Sequence, residues 1–130
     1  FQYRFDYKDK SLAIITDLGK ITKHIAQKLA GINFLVLEFN HDEMMLRNSD
    51  YPDSLKKRIN SHQGHLENKE SLKLLNAINH PDLNRVVAAH LSEKNNDIEL
   101  VKKLIFSIVG KKESNIDVID QDLGLEWTST

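Results

Sequence analysis

Short apolar runs alternate along the chain with segments whose apolar residues recur at helical spacing. Gln2 to Tyr7 alternates polar and apolar positions, the pattern of a half-buried strand. Ser11 to Thr16 carries Leu12, Ala13, Ile14 and Ile15 in succession, which predicts a strand covered on both faces. The polar link Lys8, Asp9, Lys10 makes the two a hairpin on close spacing alone, since no Asn-Gly or Asp-Gly turn signal is present. Ile21, Ile25, Ala26 and Leu29 then fall on one helix face. Gly31 follows where a helix C-terminus wants a residue tolerant of positive φ. Asn33 to Phe39 reads NFLVLEF, another buried strand, so strand, helix and strand predict a right-handed parallel crossover.

The same rhythm continues to the end of the chain. Pro52 suits a first helical turn, with Leu55 and Ile59 on one face. A helix from about Lys69 to Ile78 turns Leu72, Leu75 and Ile78 inward, with Asn68 or Glu67 near its start. Arg85 to Ala89 is the next buried strand. Asp97 caps a helix with an inner stripe of Val101, Leu104, Ile105 and Ile108, stopped by Gly110. Ile116, Val118 and Ile119 make a last short strand. No internal repeat or linker interrupts the series, so residues 1–130 read as a single α/β unit.

Composition narrows the function classes more by exclusion than by indication. At 130 residues, 40% apolar and 28% charged, the chain has the make-up of an ordinary globular domain. Its 18 basic and 19 acidic residues exclude a blanket polyanion-binding surface, so nucleic-acid contact must come from a local patch. Lys56, Lys57 and Arg58 are the best such run, and a solvated helix face is its ordinary explanation. The lack of cysteine removes thiolate chemistry and cysteine-based zinc cages, and it suits a reducing, cytoplasmic setting. No apolar run approaches the roughly 18 to 20 residues of a membrane span, so no membrane partner is expected. The opening FQYRFDYKDK reads as a strand entering mid-protein, which leads to the expectation that a longer protein surrounds this chain.

Three buried-type strands each end in a chemically useful side chain: Asp17 after LAIIT, Glu38 after FLVL and His90 after RVVAA. Open α/β sheets collect ligand and catalytic groups at the carboxyl ends of their strands, so the recurrence points to one shared site. Asn40-His41-Asp42 and His62-Gln63-Gly64-His65 stand beside it in the sequence. Carboxylates and imidazoles together form the ligand set of zinc, manganese or iron, and the same groups shuttle protons at neutral pH. Each residue also has a plain structural explanation. Asp17 suits a turn at a strand end, His90 a satisfied core histidine, and His62 and His65 solvated loop positions. Glu38 resists such an explanation, because an acid directly after four apolar strand residues is buried and must be partnered. His24 and His80 read as structural, one in an amphipathic helix and one in the turn before Pro81.

The stretches ITDLG (15–19), LVLEFNHDEMMLRNSDYP (35–52), SHQGHLEN (61–68) and AAHLSEKNN (88–96) resemble, in order, the C-terminal half of metallo-β-lactamase-fold hydrolases. They are most similar to the YycJ/WalJ-like branch, and the likeness runs on to the IDQDLG segment. The resemblance implies one half of an αββα sandwich, a mixed sheet with flanking helices. It implies a metal-dependent hydrolase, 5′ to 3′ exonuclease-like, that cleaves nucleic-acid phosphodiesters with metal-bound hydroxide. Asp17 matches the family's metal-bridging aspartate and His90 its last metal-ligand histidine. Glu38 and His65 look like the acid and histidine that assist proton transfer in the related tRNA 3′-processing branch. There Leu66 replaces a serine and Phe39-Asn40 replaces Ala-Thr. His41 and Asp42 belong to the branch's own block and take no role from the resemblance.

The family's principal ligand signature, His-x-His-x-Asp-His, is absent from these residues, and no arrangement of His24, His41, His62 or His80 reproduces it. The expectation is therefore a chain supplying part of a centre for two divalent ions, zinc or manganese, with little metal held and no activity alone. Its partners would be the missing N-terminal half, a DNA or RNA substrate and, for an exposed half-domain, a second copy. Two alternatives stand beside this: a small-molecule ester, thioester or lactone hydrolase on the same fold, and a non-catalytic α/β interaction module.

Overall fold

The computed structural model describes residues 1–61, 64–110 and 115–119. His62 and residues 120–124 of the IDQDLG segment lie outside them. A five-stranded mixed sheet runs in the order β1 (Gln2–Tyr7), β2 (Lys10–Ile15), β3 (Phe34–Glu38), β4 (Arg85–Ala89), β5 (Ile116–Val118). β1 and β2 form the antiparallel hairpin, and every later neighbour is parallel. The hairpin turns at Lys8 and Asp9, because Lys10 already pairs with Tyr7. Lys8 takes a φ of 53°, the left-handed conformation that tight hairpin turns demand at their first position.

Each parallel step is bridged by helix. α1 (Lys23–Lys28) joins β2 to β3; α2 (Glu43–Arg47), α3 (Asp53–Ile59) and α4 (Asn68–Ile78) lie between β3 and β4; α5 (Ile98–Val109) joins β4 to β5. Thr22 caps α1 through the amide of Ile25 (3.3 Å), and Asp97 caps α5 through that of Leu100 (2.8 Å). Gly110 ends α5 at a φ of 58°, as its position predicts. Pro52 sits one place earlier than expected, at the N-cap of α3 rather than inside its first turn. The inner face of α4 is built from Ser71, Leu74, Leu75 and Ile78, with Leu72 only half-buried, so the true stripe is rotated from the one the spacing suggested.

All the crossovers step the same way along the sheet, which places their helices against one face. Ala13, Ile15, Leu35, Leu37, Val86, Ala88 and Ile116 on the strands form one cluster with Ile25, Leu75, Val101 and Ile105 on the helices. Each fully buried Leu or Ile there contributes about 1.5–3 kcal/mol relative to exposure. The opposite face corrects two expectations. β2 and β3 are fully covered on one side only, and Leu12, Ile14, Phe34 and Val36 on the other are half-buried. β1 is exposed at every residue, its alternation notwithstanding, because it lies at the sheet edge, where Arg4 meets the end of α1 through the carbonyls of Lys28 (2.6 Å) and Ala30 (3.1 Å). No helix among the described residues is long and apolar enough to cross a membrane.

Candidate metal centre

Parallel pairing brings the carboxyl ends of β2, β3 and β4 to one edge, and the side chains singled out there converge. Asp17, Glu38, His65 and His90 each offer a ligand atom within 4.8 Å of the others. Glu38 ends β3 and is 0% exposed. Its Oε1 accepts from Nδ1 of His65 (2.7 Å) and Nδ1 of His90 (2.9 Å), and its Oε2 from the backbone amides of Leu18 and Leu66 (both 3.3 Å). The buried acid is thus partnered on both oxygens, as its burial requires.

These bonds set the histidine tautomers. A carboxylate oxygen only accepts, so each Nδ1 carries the hydrogen and each Nε2 keeps its lone pair for other use. His90 is not the satisfied core histidine its apolar neighbours allowed, for its side chain is 40% exposed. The two imidazoles meet edge to face at 5.2 Å between centroids. Asp17 Oδ1 lies 3.6 Å from Nδ1 of His65 and 3.4 Å from that of His90, outside good hydrogen-bond range for either.

Backbone strain marks the same residues. Asp17 and His90 have φ values of 52° and 63°, the left-handed region that costs most residues about 1–3 kcal/mol. Each directly follows or nearly follows its strand, and the sharp turn allows the side chain to fold over the sheet edge. Asp17's turn also delivers the Leu18 amide to Glu38. His65 arrives differently, on the loop after α3. There the amide of His65 donates to the carbonyl of Ile59 (3.2 Å), and a side chain at Gly64 would place Cβ 2.2 Å from that same oxygen. Only glycine permits that approach.

Sequence reasoning set Asn40, His41 and Asp42 beside the site without a role and missed Asn60; these groups hold the loops together. Asn40 Nδ2 donates to the carbonyl of His90 (2.9 Å), while its Oδ1 meets His41 Nδ1 (3.2 Å), and His41 Nε2 meets Asn60 Oδ1 (2.9 Å). The chain of contacts runs from the His90 loop to the end of α3, just ahead of His65. His41 is 1% exposed, and burial pushes its pKa below the usual imidazole value despite the Asn60 contact. Asp42 is the N-cap of α2, accepting from the Met45 amide (3.0 Å). Asn68 and Asn96 exchange paired amide bonds (2.9 Å each), and Asn96 also donates to the Phe39 carbonyl (2.7 Å). Asn40 and His41 at least stood next to Glu38; nothing in the sequence distinguished Asn60. His80 is structural, bonding the carbonyl of Ile32 (2.8 Å), and His24 is exposed on α1, away from the cluster.

Two carboxylates and two imidazoles within this radius suit a divalent ion of the zinc or manganese type. They do not by themselves fill two coordination spheres, since the Nδ1 atoms and Glu38 Oε1 satisfy one another. Asp17 and the two Nε2 atoms are the donors left over.

No family model matches the chain. Among characterised proteins it is 34% identical over 110 residues to the exodeoxyribonuclease YycJ of Bacillus anthracis, covering 85% of this chain and 42% of that protein. It is 29% identical over 116 residues to the exodeoxyribonuclease WalJ of Streptococcus pneumoniae, covering 89% of this chain and 43% of that one. The match thus spans less than half the length of these relatives. Over that portion the chain is a homologue of the YycJ/WalJ exodeoxyribonucleases, as the resemblance to that metallo-β-lactamase-fold branch implied.

Proposed function

We propose that this chain is the C-terminal part of a metal-dependent exonuclease that removes nucleotides from the 5′ end of DNA. The convergence of Asp17, Glu38, His65 and His90 at one sheet edge carries the reading. The names of the relatives, and matches over 42% and 43% of their lengths, support the substrate class and a second half elsewhere in the protein. Asp17 and His90 Nε2 would hold the metal together with donors from that second half. A pair of zinc or manganese ions, when bound, supplies a Lewis acid for a phosphodiester oxygen and for water at neutral pH.

This chain's own residues do the rest. Glu38 fixes both imidazoles through one oxygen, so their Nε2 atoms face outward in a set direction. His65, with its Nδ1 hydrogen held by Glu38, would act through Nε2, where the free lone pair takes up a proton from solvent and passes it to the leaving 3′ oxygen as the phosphodiester breaks. Its side chain is 35% exposed, open enough to meet a substrate. Asp17→Asn in the full-length gene product tests the assignment, with a 5′-labelled DNA strand as substrate. The expected result is a loss of at least about a hundredfold in turnover together with reduced metal content. Unchanged turnover and unchanged metal would overturn it.

A further inference from the structure

A cavity of about 380 Å³ opens directly beside His65 and His90, between the loop after β4 and the segment from α2 to α3. Tyr51, Asn40, Ser92, Lys94 and Asn95 form its polar wall. A second depression, of about 430 Å³, shares Tyr51, Lys94 and Asn95 with the first and continues away from the metal donors past Ser49 and Asn48. The Lys94 ammonium lies over the Tyr51 ring, 5.9 Å from its centroid, and both residues line the two spaces. Lys94 is exposed and Tyr51 half-buried. Asn95, 1% exposed, keeps an amide oxygen without a hydrogen-bond donor among the described residues.

We infer that these two spaces form a track for a nucleic-acid strand, with Tyr51 stacking a base and Lys94 taking the adjoining phosphate. The inference rests on the exonuclease reading and adds to it the residues that seat the polymer. A small substrate needs only the space beside the metal donors. Two adjoining depressions that share an aromatic ring and a cation suit a ligand that repeats a base and a phosphate. The chain's charge of −1 gives no general attraction for DNA, so a placed cation beside a ring must supply it locally. Glu93 on the first wall and Asp50 on the second oppose a phosphate there, and Lys94 is the one lysine or arginine among the residues lining the two spaces. The basic run on α3 is less suited, since Lys56, Lys57 and Arg58 line neither space and Lys56 donates to the Arg47 carbonyl (2.8 Å).

The test uses the full-length gene product in excess chelator, so that binding is read without cleavage. Fluorescence anisotropy follows a labelled, 5′-phosphorylated single-stranded DNA. Tyr51→Leu should weaken binding about tenfold, the scale of one lost stacking contact, and Tyr51→Phe should restore it. Lys94→Gln should weaken binding and lower the slope of log affinity against log salt by about one. Circular dichroism confirms that each variant is folded, and Lys94→Gln, at an exposed position, tests the inference even where Tyr51→Leu does not fold. Affinity and salt slope unchanged in Tyr51→Leu and Lys94→Gln would overturn the track, as would an absence of DNA binding by the wild type. DNA cleavage with an unaltered KM in Tyr51→Leu would overturn the track while leaving the exonuclease reading intact. Tyr51-dependent binding without any cleavage would do the reverse.

Discussion

Glu38 accepts four hydrogen bonds on two oxygens while wholly buried, and that makes it the residue on which the site's geometry depends. Glu38→Gln keeps the shape but turns one acceptor into a donor, which opposes either two imidazole hydrogens or two backbone amides. A loss of about 1–3 kcal/mol in urea denaturation is expected. Free rotation of His65 and His90 should follow, seen as broadened or doubled imidazole signals in NMR. Gly64→Ala strikes the same site through backbone alone, because Cβ meets the Ile59 carbonyl at 2.2 Å. Moving that backbone should cost about 1–3 kcal/mol and shift the His65 signal while leaving that of His80 in place. His41 adds a pH dependence. Burial holds its folded pKa below its unfolded value of about 6.5, so the unfolded chain takes up the proton first as pH falls. The stability it provides is complete above about 6.5 and is lost as pH drops toward the folded value. Urea midpoints between about pH 7.5 and about pH 5.5 should fall less steeply in His41→Gln than in the wild type. Glu38 was legible as a functional residue because an acid at the end of an apolar run has few ordinary explanations. The left-handed turns at Asp17 and His90 were not, since neither is glycine and positive φ leaves no mark on such residues.

Elements were legible where one physical rule dominated. β3 and β4 announce themselves as unbroken β-branched and aliphatic runs, and α5 by an aspartate cap, an apolar stripe and a glycine stop. The short α2 was missed because Glu43–Arg47 holds a single buried residue, Leu46, too little to establish a period. α4 was found but turned, because buried Ser71 replaces an apolar residue on its inner face and donates to the Glu38 carbonyl. A polar side chain facing inward defeats a reading based on hydrophobic spacing. The cap of α5 offers a clean test of how far these elements depend on one another. Asp97 Oδ1 accepts from the Leu100 amide, and the neighbouring Asn96 fastens the same corner to Phe39 and Asn68. Asp97→Ala should cost about 1 kcal/mol, the usual worth of such a cap, whereas Asn96→Ala should cost more because it leaves the buried Asn68 amide and Phe39 carbonyl unpaired. Urea denaturation of the two variants side by side checks the order.

At the scale of the whole molecule, the sheet has one face packed by helices and one partly covered, fully buried at Val87 and half-buried at Leu12, Ile14, Phe34 and Val36. α1, α4 and α5 lie against the Ala13, Leu35 and Val86 side, leaving a second surface that runs from Tyr3 and Phe5 through Ile14, Leu12, Val36 and Phe34. Tyr3 and Phe5 are 51% and 55% exposed, and Tyr7 at the strand's end reaches 73%. The rings of Phe1, Tyr3 and Phe5 stack along β1 at 6.2 and 6.3 Å, which keeps them ordered but does not remove them from water. Farther across, Arg85 and Asp117 pair at 2.6 Å and close the polar end of the surface. A contiguous apolar patch on this scale favours association, and β1, whose outer edge has no strand partner among the described residues, adds hydrogen-bonding groups to the same region. The 130-residue chain purified alone should therefore self-associate with rising concentration and bind an environment-sensitive hydrophobic dye. Replacing Tyr3 and Phe5 together by lysine should lower both, because these side chains are exposed on an edge strand and lysine is tolerated there. Sedimentation velocity over a concentration series reads the first effect, and dye fluorescence the second. A chain that stays monomeric and dark to the dye in wild-type form would mean that this face is covered within the chain itself, and the second half proposed for the metal centre would have to dock elsewhere.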